Sequence, residues 1–103
     1  MFARVATFEG VDVAKVKQAS DATHDWLGPV YATLPGWLGA MTLADPTTGK
    51  VIAISIFDTE EHAKGGEETF EKDMPNALGE IMETWKGKRV SVDQCEIVLQ
   101  LPR

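Results

Sequence analysis

The chain has 103 residues, of which 44% are hydrophobic and 25% charged. This composition is typical of a folded globular protein, and the length predicts a single domain spanning residues 1–103. Ten Lys and Arg residues against 16 Asp and Glu residues leave a net charge of −6, which argues against nucleic acid and anionic membrane surfaces as partners. The single cysteine, Cys95, excludes an internal disulfide and a multi-thiolate metal site.

The N-terminal sequence shows no basic leader followed by an apolar run and a cleavage site. The longest uninterrupted apolar stretch, residues 51–54, is far shorter than the roughly 18 residues that a membrane helix needs. We therefore expect a cytoplasmic protein with no membrane partner.

The first two predicted elements are a strand and a helix. Residues 1–8, rich in Phe, Val and Ala, predict the strand. The helix is predicted because apolar and small residues recur at spacings of three and four between Val13 and Leu34. Pro29 lies inside this pattern and removes a helical hydrogen bond, so we expect a kink or an early end there.

Residues Trp37–Asp45 and Lys50–Phe57 predict a second and a third strand, and the turn-forming residues between them predict a hairpin. The third strand places its isoleucines on one face and Val, Ala, Ser and Phe on the other. Both faces are therefore apolar, whereas an antiparallel strand with one solvated face alternates between apolar and polar residues.

A second helix is predicted to begin at Asp58 or Thr59, either of which serves as the N-cap ahead of an acidic first turn. This helix contains the glycine pair at residues 65–66, which lowers its intrinsic stability. Pro75 breaks the helix, and a second helical piece runs from there toward Trp85.

Residues 88–101 predict the last strand, with a bulge or a break near residues 93–94 where the apolar residues change faces. The order β-α-β-β-α-β is that of an α+β ferredoxin-like sandwich, with two helices on one face of a four-stranded antiparallel sheet. The other face would be a contiguous apolar patch of a kind that monomers seldom expose. We therefore expect a homodimer in which two sheets pack face to face.

Three segments resemble a known family. Residues 34–40 (LPGWLGA), with Leu43 and residues 45–50 (DPTTGK), are similar to the second strand and hairpin of antibiotic biosynthesis monooxygenase-like domains. Residues 54–61 (ISIFDTEE) resemble their third strand and the acidic start of their second helix. The resemblance implies a dimeric α+β barrel in which each subunit has a pocket between its sheet and its helices.

The resemblance also implies a mixed set of activities, among them cofactor-independent oxygenation of polyketide aromatics and haem degradation. Members of the haem-degrading and quinone-forming branches carry an Asn near the end of the first strand and a Trp at the end of the third. Here the Asn is absent and Phe57 stands in the place of the Trp. His62 lies in the first turn of the second helix, too early to match the histidine of the haem-degrading branch. No catalytic residue is therefore assigned, and we expect no bound cofactor.

Four residues are candidate ligand-binding positions: Arg4, His24, Phe57 and Phe70. Arg4 interrupts an apolar strand face, so it reaches water, pairs with an acid or binds an anionic ligand. His24 flanks the apolar stripe of the first helix and lies either at a pocket rim or simply on the surface. Phe57 and Phe70 either line an aromatic-binding cavity or pack in the core.

The remaining reactive side chains predict no further site. The two histidines and Cys95 lack the spacing of metal ligands, so we expect no metal. Cys95 stands in an apolar strand with no adjacent basic residue, which favours an inert, buried thiol.

Two functions stay open on the sequence. The first is a cofactor-independent monooxygenase that acts on an aromatic or polyketide-like small molecule, because such a protein mainly orients and desolvates its substrate. The second is a dimeric module that binds or senses a small molecule without catalysis. RNA-recognition motifs share this element order but require basic and aromatic residues on the central strands. Lys50–Phe57 is nearly all aliphatic, so we do not expect RNA binding.

Overall fold

A computed structural model describes residues 1–69 and 86–102. The elements, in chain order, are β1 (Phe2–Glu9), α1 (Val13–Ala32), β2 (Trp37–Asp45), β3 (Lys50–Phe57), α2 (Glu60–Glu68) and β4 (Lys88–Glu96). The four strands form one antiparallel sheet in the order β2-β3-β1-β4, and α1 and α2 connect strands of this sheet. The predicted ferredoxin-like α+β fold is thereby confirmed.

Helix α1 begins after Asp12, whose side chain accepts a hydrogen bond of 3.4 Å from the backbone N–H of Lys15. It runs through Pro29 to Ala32, so the prediction of an early end is wrong. A proline in the last turn removes only one helical hydrogen bond, and its φ is compatible with the helix. The helix then closes at Thr33, whose N–H and hydroxyl both donate to the carbonyl of Val30.

The hairpin between β2 and β3 is held by Asp45. One carboxylate oxygen of Asp45 accepts hydrogen bonds from the backbone N–H groups of Thr47 and Thr48, at 2.8 and 3.3 Å. These two donors favour the charged carboxylate and lower the pKa of Asp45 below its usual value. Gly49 completes the turn with a φ of +75°, a conformation that favours glycine.

Strand β4 differs from its prediction in two respects. It ends at Glu96 rather than at Leu101, and its bulge lies opposite Thr7 and Phe8 of β1, where Val90 is the extra residue. Around residues 93–94 the register is regular. The apolar residues change faces there because Val92 lies on the helix side of the sheet and Cys95 on the other side, with no slip of the backbone.

The two faces of the sheet are both rich in apolar side chains. On the helix side Phe8, Val51 and Phe57 are buried, and two clusters of buried residues extend from them to α1 and α2. The opposite side carries the three isoleucines of β3 together with Met41 and Leu43 of β2, which are 53% and 50% exposed. Three aliphatic residues of the C-terminal segment are exposed as well: Val98, Leu99 and Leu101.

Cys95 also lies on that opposite side, because it pairs with Ala3 of β1. It is a free and exposed thiol, so the expectation of a buried cysteine is wrong for the single chain. The error arose because no second layer among the described residues covers a position that faces away from the helices.

Two features of the prediction fall on residues that the structure does not describe. The second helical piece, from Pro75 toward Trp85, lies outside the described ranges, as does Phe70. In residues 1–69 and 86–102, no helix is both long enough and apolar enough to cross a bilayer.

Candidate ligand-binding cavity

A cavity of about 930 Å³ lies between α1 and the helix side of the sheet. Its wall on the helix is the stripe that the sequence periodicity singled out, and its floor comes from all four strands. A volume of this size falls within the range of small-molecule sites. The described residues around it from α1 are Val16, Ser20, Thr23, His24, Leu27, Gly28 and Tyr31, and those from the strands and adjoining turns are Arg4, Ala6, Phe8, Trp37, Gly39, Ala40, Met41, Thr42, Ala53, Ile54, Gly87, Lys88 and Arg89.

The cavity exists because small side chains meet in one row across the sheet. Thr42 of β2 pairs with Ala53 of β3, and Ala53 pairs with Ala6 of β1. Above this row, α1 presents Ser20 and Thr23 where larger apolar residues would fill the space. Because side chains of this size do not reach across a helix–sheet spacing of about 10 Å, the layers enclose a hollow.

One end of the cavity carries a buried polar group from each of three elements. Arg4 of β1, 6% exposed, pairs in register with Ser55 of β3, 3% exposed. The Ser55 hydroxyl donates a hydrogen bond of 3.1 Å to the hydroxyl of Tyr31 on α1. Arg4 and Tyr31 both line the cavity, so a guanidinium and a phenol hydroxyl lie in its wall at this end.

Two aromatic rings flank the same end. Tyr31 stacks on Trp37 with ring centroids 5.4 Å apart and an angle of 22° between the ring planes. Trp37 lies at the start of β2, next to the buried cluster that contains Phe57. Among the described residues, the buried indole N–H of Trp37 has no hydrogen-bond partner. The arrangement offers a ring surface and a donor to a bound aromatic molecule.

The basic residues at the rim of the cavity are exposed. His24 projects from α1 with 86% of its side chain exposed, and its Nδ1 lies 3.5 Å from the carboxylate of Asp25. Lys88 and Arg89 belong to the start of β4. Together with Arg4 these residues make the charged part of the described lining entirely basic, although the chain as a whole carries a net charge of −6.

The structure separates the four residues that the sequence singled out. Arg4 and His24 line the same cavity, one at the buried end and the other at the rim. Phe57 is fully buried in the cluster with Leu34 and Ala63, and it is not among the lining residues. Phe70 lies outside the described residues.

Sequence reasoning missed Ser55 because it carries no catalytic motif. A signal was present, since Ser55 is the one polar residue among the helix-facing positions of β3, between Ala53 and Phe57. A hydroxyl at such a buried position needs a partner, and Tyr31 is that partner. Tyr31 follows Leu27 by four residues and precedes Leu34 by three, so the stripe predicted for the first helix places it on the inward side of α1.

A second polar pair lies outside the cavity, at the start of α2. The imidazole Nδ1 of His62 is 2.6 Å from the carboxylate of Asp58, and the hydrogen bond between them lowers the pKa of Asp58. Both side chains are partly exposed, at 40% and 47%. Among the described residues, no group of three or more His, Cys, Asp and Glu side chains is placed to hold a metal ion.

Comparison with known proteins supports the fold. Neither a family model nor a curated protein matches the sequence. Two solved structures described as dimeric ferredoxin-like proteins from uncultured marine organisms are similar, with TM-scores of 0.72 and 0.68 at 13% and 14% identity. The first match covers 100% of both chains and the second 97% of both.

A third similar structure is a candidate antibiotic biosynthesis monooxygenase from Deinococcus radiodurans, with a TM-score of 0.61 and 10% identity over 100% of this chain and 98% of that one. The chain thus has the ferredoxin-like α+β fold. This third structure is described as a member of the family that residues 34–40 and 54–61 resemble, and at 10% identity the likeness to it shows the fold alone.

Proposed function

We propose that the chain is a homodimeric, cofactor-independent monooxygenase that takes a planar aromatic or polyketide-like small molecule into the cavity between α1 and the sheet. The observation that carries this proposal is the cavity itself, about 930 Å³ in volume with a floor of small side chains. The stacked rings of Tyr31 and Trp37 at one end support an aromatic ligand. The likeness to the candidate monooxygenase supports the reaction class.

The proposed reaction needs few protein groups. An electron-rich ring methylene that is oxidised to a carbonyl by one O2 receives one oxygen atom, and the other leaves as water. The substrate supplies all the electrons, so the protein contributes orientation and the exclusion of water. A hollow lined mainly by aliphatic and aromatic side chains suits that task.

The dimer is proposed to bury the sheet face that points away from the helices. That face carries Met41, Leu43 and the isoleucines of β3, which α1 and α2 do not cover. An exposed apolar surface of this extent is typical of an interface. The two marine proteins of the same fold are described as dimeric, which supports the same assembly here.

Oxygen consumption tests the catalytic proposal. Purified protein is incubated with a panel of hydroxylated naphthalenes and anthracenes, and dissolved oxygen and products are followed. We expect oxygen uptake with one atom of isotopically labelled O2 in the product. Binding that raises the thermal stability with no product would instead establish the non-catalytic binding module, and the absence of both binding and turnover would contradict the two proposals together.

A matched pair of variants locates the site. Ala53→Ile extends a side chain into the cavity, whereas Ala44→Ile makes the same change at an exposed position on the same side of the sheet that does not line the cavity. We expect Ala53→Ile to abolish binding and Ala44→Ile to preserve it. Equal binding by the two variants would place the ligand elsewhere.

The solution mass tests the dimer. We expect two chains rather than one of 11.3 kDa, at micromolar concentration. Leu43→Lys introduces a charge on the proposed interface and should yield monomers, whereas Ala44→Lys, at the adjacent position on the other side of β2, should stay dimeric. A wild-type mass of one chain would contradict the proposed assembly.

A further inference from the structure

We propose that the ligand of the cavity is an aromatic carboxylate, bound with its charged group at Arg4 and its ring system over the small residues of the floor. This inference rests on the proposed function only in assuming that the cavity takes a small molecule. It adds the charge and the orientation of that molecule, which neither the fold nor the comparisons specify.

The Lys, Arg, Asp and Glu residues described in the cavity lining are all basic. The ionisable side chains known to line it are Arg4, His24, Lys88 and Arg89, and Tyr31 adds a phenol. No Asp or Glu occurs among the described lining residues, in a chain whose acids outnumber its Lys and Arg residues by 16 to 10. Basic groups around a cleft with low-dielectric walls raise the local concentration of anions, so the lining selects a negatively charged molecule.

Arg4 occupies a buried position at one end of the cavity. The residue is 6% exposed and projects from β1 beside the buried hydroxyl of Ser55. A guanidinium carries five N–H donors in a planar fork, which can serve a ligand together with groups of the protein. The fork matches the two oxygens of a carboxylate, and such charge-assisted pairs are the strong and directional ones.

The helix side of β1 changes from polar to apolar after Arg4. The side chains that follow Arg4 on the helix side are Ala6 and Phe8, about 7 and 13 Å further along the strand. Ala53 lies beside Ala6, so the floor beyond Arg4 is apolar. An aromatic acid lying along this floor with its carboxylate at Arg4 places its ring on apolar surface. The reverse orientation brings the carboxylate to Arg89, which pairs with Phe8 and is exposed, so that water screens the charge pair.

Two stacked aromatic rings that carry hydrogen-bond donors lie at the same end of the cavity as Arg4. The hydroxyl of Tyr31 and the buried N–H of Trp37, which has no partner among the described residues, lie on the pair of stacked rings that flanks this end. A buried donor without an acceptor is costly, and a carboxylate oxygen is a suitable acceptor. Exposed Lys88 and Arg89 then supply positive charge at the rim.

The test compares two probes of the same shape, naphthoate and naphthamide, by titration calorimetry on the intact protein. Naphthoate carries the charge and naphthamide does not. We expect wild-type protein to bind naphthoate at least about tenfold more tightly, since hydrogen bonds to charged groups are the stronger ones. We expect Arg4→Gln to bring the ratio of the two affinities to about one.

Two further variants control for charge and folding. Lys17→Gln removes the same charge from an exposed position of α1 that does not line the cavity, so the ratio should stay as in the wild type. Arg4→Lys keeps the charge without the planar fork and should give an intermediate ratio, and it replaces Arg4→Gln if that variant does not fold.

The outcomes separate this inference from the proposed function. Equal affinities of the wild type for the two probes would overturn the inference and leave small-molecule binding in place. A preference for naphthoate that survives at Arg4→Gln would also overturn it. Binding of neither probe would contradict both proposals, and preferential naphthoate binding without any oxygen uptake would support the inference while the oxygenase proposal fails.

Discussion

The hydroxyl of Ser55 on β3 donates a 3.1 Å hydrogen bond to the hydroxyl of Tyr31 on α1, a bond between residues 24 positions apart. It crosses the end of the cavity and links the helix to the sheet beside the apolar cluster that contains Leu34 and Phe57. The Tyr31 ring that accepts this bond also stacks on Trp37. A polar contact thus adds to the apolar packing at this end of the proposed site.

Loss of that contact should lower stability. In Tyr31→Phe the buried Ser55 hydroxyl loses its acceptor, and we expect a decrease of about 1–2 kcal/mol in the free energy of unfolding, measured by urea denaturation at a fixed protein concentration. In the Ser55→Ala background, Tyr31→Phe should cost clearly less. Ser20→Ala, at an exposed hydroxyl of α1, should change stability by no more than about 0.5 kcal/mol. Equal effects of Tyr31→Phe in both backgrounds would show that the bond is not stabilising.

The adjacent glycines of α2 should respond in opposite directions to alanine. A Cβ at Gly65 meets none of the described residues within 4 Å, so Gly65→Ala should stabilise the protein by about 0.5–1 kcal/mol through helix propensity. A Cβ at Gly66 would lie 2.5 Å from Cζ of the buried Phe57 ring, so Gly66→Ala should destabilise it by about 1–3 kcal/mol. Thermal or urea unfolding measures both variants. A stabilised Gly66→Ala would show that α2 does not rest on Phe57.

Gly36 combines a left-handed backbone with a close approach of side chains. Its φ is +73°, and a Cβ there would overlap the Asp58 carboxylate and the His62 ring. We expect Gly36→Ala to destabilise the protein by more than the roughly 1–2 kcal/mol that the backbone conformation alone costs.

Gly10→Ala is the matched control for this prediction, because Gly10 has a φ of +68° and a Cβ at that position would meet no atom of residues 1–69 and 86–102 within 4 Å. The difference in the free energy of unfolding between the two variants measures the overlap with Asp58 and His62. Equal losses would contradict the close packing at Gly36.

The Asp58–His62 pair should make stability depend on acid pH. The hydrogen bond to His62 holds the pKa of Asp58 below its usual value of 3.8 in the folded protein. A carboxylate with a lowered folded pKa contributes stability above its unfolded pKa, and that contribution is lost as the pH falls through the folded value. We expect the wild type to exceed Asp58→Asn in stability near neutral pH and the difference to shrink below about pH 4. Urea unfolding at a series of pH values measures this, with Asp21→Asn on the exposed side of α1 as the control; a difference that does not change with pH would rule out the pair as its source.

The element order could be predicted from the sequence because it depends on local patterns. The apolar pattern of Lys50–Phe57, the turn residues before it and the stripe of α1 each specify their element without knowledge of the rest of the chain, and the stripe also specifies the inward face of α1. The errors arose where a local rule met a special position. Pro29 falls in the last turn of α1, where it is tolerated, and Cys95 is apolar but faces away from the helices.

The cavity could not be predicted in this way, because it depends on which residues of different strands lie side by side. Thr42, Ala53 and Ala6 are separated by 11 to 47 positions and become one row only through the register of β2, β3 and β1. The same register sets Arg4 beside Ser55, and α1 then brings Tyr31 to it. The sequence by itself determined the elements and their apolar faces, since period and turn chemistry are local. Only the tertiary structure decided where small and polar side chains meet, since strand register and helix placement are set by the packing of the whole chain.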